Sequence, residues 1–408
     1  MSASTETLIN LRSLTGEART VANQTVSAIR PRRYKNKYAY NVRVNKITAL
    51  ANVDFGGNYS FQLPAFKTLC GECFIEMTLP DLTAESNSTY RKHPMLHVVD
   101  RVTYRAGQKI YEFCPREELP IYLSRVRDEK MKTQLRALFD AGALARTGGT
   151  FILPLITPWS IWTTDKLSQP IKHGARGSGL WDAGLLADNL VIEIQFASKA
   201  NATSSAAAAT TNGADLGSVV LKWEEVVANA QTIQAMKAEV PKTHCIQEYT
   251  RLDNQAASDA AVTTYRVASL VSRAATTGFL FRARPAANDA QNLDCMEGNE
   301  HIKELVVRCD GREIFDSDQR SDQQRDYLNI LNGNPGDVGV PKFAHFAFGN
   351  SHREYDASHI SGLIKNGSCN ELDLDLQVES GDDRVDIVAI HLRKFTFQNG
   401  TVKVSNAY

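Results

Sequence analysis

The sequence lacks an excess of charge of either sign. Its 408 residues contain 46 lysines and arginines against 46 aspartates and glutamates. Because the chain has no overall excess of basic residues, its composition does not predict a nucleic-acid-binding protein. Because it has no excess of acidic residues either, its composition does not predict a basic partner. Hydrophobic residues make up 43% of the chain and charged residues 23%. These shares are close to globular averages and exclude a wholly disordered or collagen-like protein.

Long apolar runs are also missing. The longest, such as residues 151–156, are far shorter than the ~20 residues that a membrane-spanning helix needs. The first thirty residues are polar and contain no apolar stretch of the secretory kind. We therefore expect a soluble protein made in a reducing compartment. The seven cysteines are odd in number and scattered, so we interpret them as free thiols.

Motifs that carry catalysis, cofactor binding or metal binding are scarce. There is no Gly-x-Ser-x-Gly elbow, no Walker-type Gly-Lys-Ser/Thr loop, no Gly-x-Gly-x-x-Gly fingerprint and no His-x-His pair of the bicupin kind. Cys70 and Cys73 have zinc-knuckle spacing, but no second pair accompanies them, and an odd offset along a strand puts their sulfurs on opposite faces. We predict that the chain is not an enzyme, has no catalytic, cofactor-binding or metal-ligating residues, and uses no cofactor.

The main positive feature of the sequence is an internal repeat. Residues 97–112 align without a gap with residues 301–316, at an offset of 204, with four identical and four conservative pairs among 16 positions. Each copy predicts a strand, a glycine turn and a return strand. A second pair of segments, residues 190–196 and 372–378, follows in the same order at an offset of 182. This pattern indicates two copies of one β-domain.

Residue alternation indicates antiparallel β-structure. In residues 73–79 the odd positions form an apolar face and the even positions point away. Glu371, Asp373 and Asp375 alternate with leucines in the same way. These acids could bind calcium from the strand face, but we favour the interpretation that they form a solvent-exposed face. Strands with one buried and one solvent-exposed face are typical of antiparallel sandwiches and barrels, not of doubly wound folds.

Helices are predicted only between strands, over residues 120–140, 224–239 and 321–331. The tract of residues 198–218 is rich in alanine, serine, threonine and asparagine. Such small side chains cannot build a core, so we expect a long exposed loop there. A domain boundary is predicted near Pro241, where the second helix stops.

The amino-terminal segment differs from the rest of the chain. Residues 1–46 contain nine basic and two acidic residues, a net charge of +7. Five of the basic residues lie close together, among tyrosines: Arg30, Arg32, Arg33, Lys35 and Lys37. Two interpretations stay open, an arm that contacts phosphates of nucleic acid or of lipid headgroups, and a solvated arm that packs on a neighbouring subunit. The remaining chain is predicted to form one domain over residues 47–241 and a second over residues 242–408.

Two similar β-domains in tandem, with few helices and no active-site motif, resemble the double-jelly-roll major capsid proteins of icosahedral DNA viruses. These belong to the lineage of nucleocytoplasmic large DNA viruses, adenoviruses and tectiviruses. Residues 61–80 resemble the opening strands of the first jelly roll, ending in Leu-Pro, and residues 102–112 resemble the next strand with its Gly-Gln-Lys-Ile turn. Three carboxyl-terminal segments are similar too: residues 343–348, 372–378 and 385–404.

The resemblance implies an all-β fold of two tandem eight-stranded antiparallel jelly rolls with a few short inserted helices. It also implies a homotrimer whose six jelly rolls form a pseudo-hexagonal capsomer of an icosahedral virion shell, made in the host cytoplasm. Neighbouring capsomers and minor capsid or vertex proteins would be its partners. The basic arm, through Arg30 to Lys37, would face inward toward an internal membrane or the genome.

Two other classes of protein stay open at this point. A two-domain β-sandwich enzyme of the carbohydrate-active or amidase type would need acids or a metal at a domain junction. A cellular β-sandwich adhesin or scaffold is harder to reconcile with the cysteine pattern of a reducing compartment.

Overall fold

A computed structural model of the chain describes fifteen stretches, and every structural statement below concerns these residues. They are residues 40–50, 52–64, 68–82, 89–91, 93–124, 133–135, 137, 148–160, 180–203, 216–267, 275–285, 302–316, 344–348, 371–378 and 382–406. Within them, no helix combines the length and the apolar character needed to cross a bilayer.

The first half of the chain forms two antiparallel sheets around one apolar core. One sheet contains, in spatial order, β1 (Asn41–Thr48), β9 (Val219–Val227), β3 (Leu69–Leu79) and β6 (Gly149–Leu155). A two-residue strand, β7 (Trp181–Asp182), pairs with β3 beyond this path. The other sheet contains, in spatial order, β2 (Asn58–Gln62), β8 (Val191–Phe196), β4 (Val99–Ala106) and β5 (Gln108–Phe113).

The second half repeats this arrangement. One sheet contains, in spatial order, β10 (Thr243–Ser258), β17 (Asp382–Gln398), β12 (Ala275–Pro285) and β15 (Ala344–Ala347). The strand β18 (Thr401–Asn406) pairs with β17. The other sheet contains, in spatial order, β11 (Thr263–Arg266), β16 (Leu372–Val378), β13 (Ile302–Cys309) and β14 (Arg312–Asp316).

Each half therefore has eight main strands in jelly-roll order. Numbered along the half and leaving out β7 and β18, they lie as 1-8-3-6 in one sheet and 2-7-4-5 in the other. We call the 1-8-3-6 sheet of each half its outer-type sheet. The predicted fold, two tandem eight-stranded antiparallel jelly rolls with a few short helices, is confirmed.

The two repeated segments of the sequence occupy equivalent places in the two halves. Residues 97–112 include the β4–β5 hairpin and residues 301–316 include the β13–β14 hairpin. Their turns contain Gly107 at φ 69° and Gly311 at φ 73°, in the left-handed region that glycine adopts without a steric penalty. The second repeated pair becomes β8 and β16, which lie beside β4 and β13, respectively. The prediction of a duplicated β-domain is confirmed by this topology.

Alternating burial builds the core of each half as predicted. In β3 the side chains of Cys73, Ile75, Met77 and Leu79 are buried, and those between them are half-buried. In β16 the leucines are buried in the second core cluster. Because successive strand residues point to opposite faces, one face of each strand joins the core.

The helices differ in extent from the predicted ones. The helix α1 (Pro94–Val98) was not predicted, and α2 (Pro115–Ser124) begins five residues before the predicted start, with Pro120 inside it. The helix α4 (Ala230–Glu239) begins six residues later than predicted, because residues 224–227 continue the strand β9. Leu221 and Trp223 of this strand are buried in the core of the first half. Asn229 caps α4, its side chain accepting a hydrogen bond from Thr232 N at 2.8 Å.

The tract predicted as an exposed loop is only partly described. It contains the short helix α3 (Lys199–Ala202), and both Ala202 and Leu216 are buried. The prediction of an exposed loop is wrong at these positions, because both residues join the core of the first half. Residues 204–215 and the predicted helix over residues 321–331 lie outside the described residues.

The duplicated glycine turn can be tested by substitution. We expect Gly311→Ala to lower the free energy of unfolding by about 1–2 kcal/mol, because a β-carbon is disfavoured at positive φ. Among the described residues, no atom lies within 4 Å of the added carbon, so we expect the loss to come from backbone strain. Chemical denaturation measures it, with the exposed Glu313→Ala of the same hairpin as control. Equal stability of the two variants would contradict the strained turn.

Candidate functional site

The two jelly rolls meet through strands that run beyond the second sandwich. Up to Leu392, β17 pairs with β12, and from Arg393 onward it pairs with β18. The start of β10 lies on the other side of β17, with Thr243 opposite Thr396. We call these three strand segments, residues 243–246, 393–398 and 401–406, the junction extension.

The junction extension is part of the core of the first jelly roll. Its residues Ile246, Phe395, Phe397 and Val402 are buried in the same apolar cluster as the first-half core. The Phe397 ring centroid lies 5.5 Å from that of Trp159 and 6.1 Å from that of Trp181. Phe395 meets Tyr111 edge-on at 6.1 Å. Aromatic pairs at these distances stabilise beyond the burial of their area, so the two rolls share one core.

A second contact runs in the opposite direction, from the first roll to the second. Ile121 of α2 packs against Leu280, Val388 and Ile390 on the outer-type sheet of the second half. Next to it, the Tyr122 ring contacts the Tyr249 ring edge-on, with centroids 5.7 Å apart.

An ion pair accompanies this second contact. Arg251 Nη1 lies 2.5 Å from Glu117 Oε2, and this ion pair joins β10 to α2. Both side chains are mostly buried, so the pair is screened less than an exposed one.

A cleft of about 530 Å³ opens between the two contacts. Its lining comes from the β4–β5 hairpin and α2 of the first half and from β10, β17 and β18 of the second. Glu118 lies in this lining and is buried. Its Oε1 accepts a hydrogen bond from Cys114 N at 3.0 Å, and its Oε2 accepts one from the Tyr111 hydroxyl at 3.1 Å.

Burial raises the pKa of Glu118 to about 8, because removal from water disfavours the charged form. The two hydrogen bonds and the nearby Arg251 act in the opposite direction but do not outweigh the burial. At neutral pH the side chain is therefore largely a neutral acid inside the junction.

Among the described residues that line the cleft, the one cysteine is not an activated nucleophile. Burial raises the pKa of the Cys114 thiol far above its ordinary value, so the thiolate that nucleophilic catalysis needs is not populated. Across the stretches that the structure describes, no three His, Cys, Asp or Glu side chains are grouped so that they could hold a metal ion.

The cysteine predictions need two corrections. A β-bulge in β3 adds a residue between Cys70 and Cys73, so both side chains point into the core and do not lie on opposite faces. Burial raises the pKa of both thiols, which keeps them protonated. Cys309 is disulfide-bonded, so the prediction that all seven are free thiols is wrong there, although Cys70, Cys73, Cys114 and Cys245 are free.

The predicted arm residues Arg30, Arg32, Arg33, Lys35 and Lys37 lie outside the described residues. Residues 41–46, which we had assigned to the arm, are part of β1. There Arg43 Nη2 donates to Glu225 Oε2 at 2.7 Å. Burial acts to raise the pKa of Glu225, but hydrogen bonds from Arg43, Thr68 and Asn45 outweigh it and lower the pKa. Arg43 therefore links β1 to the neighbouring strand β9 through its side chain.

The alternating acids of β16 face arginines of neighbouring strands. Asp375 forms an ion pair with Arg308 and accepts a hydrogen bond from Thr264 Oγ1 at 2.6 Å. Asp373 lies 3.9 Å from Arg266. These cross-strand contacts favour the structural interpretation over a calcium site. Asp375 is buried, so the prediction of a solvent-exposed face is wrong at this position, where Arg308 and Thr264 supply polar contacts within the sheet.

Sequence reasoning missed Glu118 and the junction extension. Residues 395–404 were predicted to be strands, but local alternation does not show that their apolar face enters a different domain. The one available signal for Glu118 was an acid between the apolar residues Cys114 and Leu119 in a segment with several charges.

The comparisons with known proteins fit this geometry. No family model matches the chain, and no curated protein matches it by sequence. The fold is similar to that of a chain in the PBCV-1 virus capsid, with a TM-score of 0.65 and 13% identity over 93% of this chain and 100% of that one. The Faustovirus major capsid protein has a TM-score of 0.57 and 10% identity over 90% of this chain and 92% of its own.

A third similar structure comes from the Sputnik virophage, with a TM-score of 0.58 and 12% identity over 92% of each chain. At such identities the likeness establishes the fold. The chain has the double-jelly-roll fold of these viral capsid proteins, and the resemblance predicted from the sequence is confirmed at the level of fold.

The buried acid of the junction predicts a pH dependence of stability. Folding raises the pKa of this carboxyl group from 4.5 to about 8. Its contribution to the stability of the folded state is therefore complete below pH 4.5 and is lost as the pH rises through about 8. Between these values the free energy of unfolding should fall by up to about 1.4 kcal/mol per pH unit.

Thermal unfolding of the wild type and Glu118→Gln between pH 5 and 8.5 measures this effect, since glutamine is neutral throughout. We expect the Gln variant to lose less stability than the wild type as pH rises. Glu112→Gln at the rim of the same cleft is the matched control and should keep the wild-type profile. Parallel profiles for the wild type and Glu118→Gln would contradict the assignment.

Proposed function

We propose that this chain is the major capsid protein of an icosahedral DNA virus and self-assembles as trimeric pseudo-hexagonal capsomers into the virion shell. One observation carries the proposal. The structural match to the PBCV-1 capsid chain extends over 93% of this chain and the whole of that one, so it includes both jelly rolls and their junction.

The geometry supports a building block more than a catalyst. The cleft holds a protonated thiol and a largely neutral acid, and the solved structures with this fold cited above are capsid structures. Two contacts hold the two rolls together. The junction extension of the second roll packs into the core of the first, and α2 of the first roll packs on a sheet of the second. A rigid pair of sandwiches of one size is what a closed shell needs from each repeated unit.

The proposal includes partners and a location. Neighbouring capsomers and minor capsid or vertex proteins would contact the trimer in the virion, after synthesis in the host cytoplasm. The chain has a formal net charge of zero, which limits repulsion among many copies at short distance. Weak contacts between trimers can then suffice.

The amino-terminal arm has its own proposed role. We propose that Arg30, Arg32, Arg33, Lys35 and Lys37 face the shell interior and contact phosphates of an internal membrane or the genome, or minor capsid proteins. The first described strand begins at Asn41. The proposed domains are thus an arm that ends before this strand, a first jelly roll up to about residue 241 and a second from residue 242.

The oligomeric state of the purified protein tests the capsomer directly. We expect light scattering after size exclusion to give a mass of about 135 kDa, three times the chain's 45.1 kDa, because a heterologous interface that closes gives a finite ring. The species should withstand dilution and moderate salt. A stable monomer of 45.1 kDa would contradict the proposed capsomer.

The arm is tested by deleting residues 1–39, which leaves β1 complete. We expect the deletion variant to form the same trimers but to give fewer closed shells on co-expression with the other virion components, counted by electron microscopy. A variant with glutamine at the five basic positions from Arg30 to Lys37 is the matched control for charge. Shell yields equal to the wild type in both variants would contradict the role of the arm.

A further inference from the structure

The first half of the chain does not supply the whole core of the first jelly roll. Ile246, Phe395, Phe397 and Val402 are at most 7% exposed and belong to the same apolar cluster as the strands of that roll. All four lie in the junction extension, whereas the last strand of the first roll, β9, ends at Val227. The first roll is therefore completed by segments that follow it in the sequence and that also belong to the second roll.

Two of these side chains cover large aromatic rings of the first roll. Phe397 lies against Trp159 and Trp181, and Phe395 meets Tyr111. The three rings that they touch are at most 1% exposed, and aromatic side chains of this size bury large apolar areas. Without the junction extension, each ring would lose its packing partner on one side. A cavity or an exposed apolar surface would take its place.

Polar contacts fix the position of the β17–β18 hairpin on the first roll. Gly400 O accepts a hydrogen bond from Ala187 N at 2.7 Å, and Val402 O accepts one from Gln108 Nε2 at 3.2 Å. Asn399 and Gly400 have φ values of 53° and 78°, as the two central residues of a tight hairpin turn require. A β-carbon on Gly400 would lie 2.7 Å from the β-carbon of Ala187. The hairpin therefore fits the first roll in one specific position.

The junction extension carries a large share of the stability of the first roll. Burial of four apolar side chains of this size contributes a free energy comparable to the whole net stability of a typical domain. By this comparison, a first roll without the junction extension retains little net stability. Domains generally fold as units, with the amino-terminal one first during synthesis. The first jelly roll departs from this behaviour, because its core stays incomplete until the strands of the second roll have been made.

One continuous strand connects the two cores. In β17, Ala389 packs in the core of the second roll and Phe395 packs in the core of the first. The same strand pairs with β12 of the second roll as far as Leu392. Pairing of β17 within the second roll therefore carries Phe395 and Phe397 to the first core.

The second roll depends on the first in turn. Ile121 of α2 covers Leu280, Val388 and Ile390 of the sheet that contains β17. These four residues are at most 6% exposed. Loss of the first roll would expose this apolar group, so neither roll keeps its full burial without the other.

We propose that the junction extension is the closing element of the fold, and that the two jelly rolls fold and unfold as one cooperative unit. The first roll then becomes stable only when β17 and β18 are in place. A chain with a defective second roll has no stable first roll either, so half-folded subunits are excluded from assembly. This last consequence rests on the proposed capsomer function, whereas the coupling of the two rolls does not.

Hydrogen exchange on the full chain tests this coupling. Phe281 is fully buried in the second core, and Phe281→Ala leaves a cavity there. We expect amide exchange in β13 and β16 of the second roll to become faster by on the order of a hundredfold. Exchange in β3 and β8 of the first roll should rise by the same factor, because the residues of a cooperative unit open together. The milder Phe281→Leu should give the same pattern with a smaller factor. Val262→Ala, at a residue 44% exposed, is the control and should leave both rolls at wild-type rates.

Independent rolls would give a different pattern. Faster exchange in β13 and β16, with wild-type rates in β3 and β8, would overturn the proposal. Coupling through contacts between copies of the chain depends on protein concentration, so coupling that disappears on dilution would overturn it as well. The result is independent of the capsomer. A monomeric protein whose two rolls exchange together would support the closing element and contradict the trimer.

A chain that ends after Leu392 removes most of the junction extension. We expect β3 and β8 to lose most of their protection against exchange in this variant, and a synthetic peptide of residues 391–406 to restore it. The same peptide with Phe395→Ala and Phe397→Ala is the matched control and should not restore the protection. Wild-type protection of β3 and β8 in the shortened chain would overturn the proposal.

Discussion

The arrangement of the two jelly rolls depends on the aromatic contacts at their junction. Phe395 and Phe397 leave the second sandwich and become part of the first core, against Tyr111, Trp159 and Trp181. Burial of side chains this large is the main favourable term in packing. A link between domains that shares a core does not behave as a flexible tether. The relative position of all four sheets follows from it.

The same junction explains why the two similar halves are not equivalent. The second outer-type sheet is closed by α2, whereas the first keeps Val44 and Ile152 exposed. Duplication of a domain creates two copies of each surface, but within one chain α2 covers the second of these sheets and not the first.

Much of this fold could be predicted from local sequence, because strand alternation and glycine turns are local properties. Gly107 and Gly311, the alternation around Ile75 and the repeated hairpins were all visible in the sequence. The bulge between Cys70 and Cys73 was not, because a single extra residue in one strand leaves no compositional mark. Glu118 was missed because its burial results from a contact between halves that are distant in sequence.

Electron cryomicroscopy of the purified protein tests most directly the proposal that three chains close a ring of six jelly rolls. We predict class averages with a hexagonal outline, three-fold symmetry and six sandwich densities. Averages that show isolated two-lobed particles, or an assembly without three-fold symmetry, would contradict it.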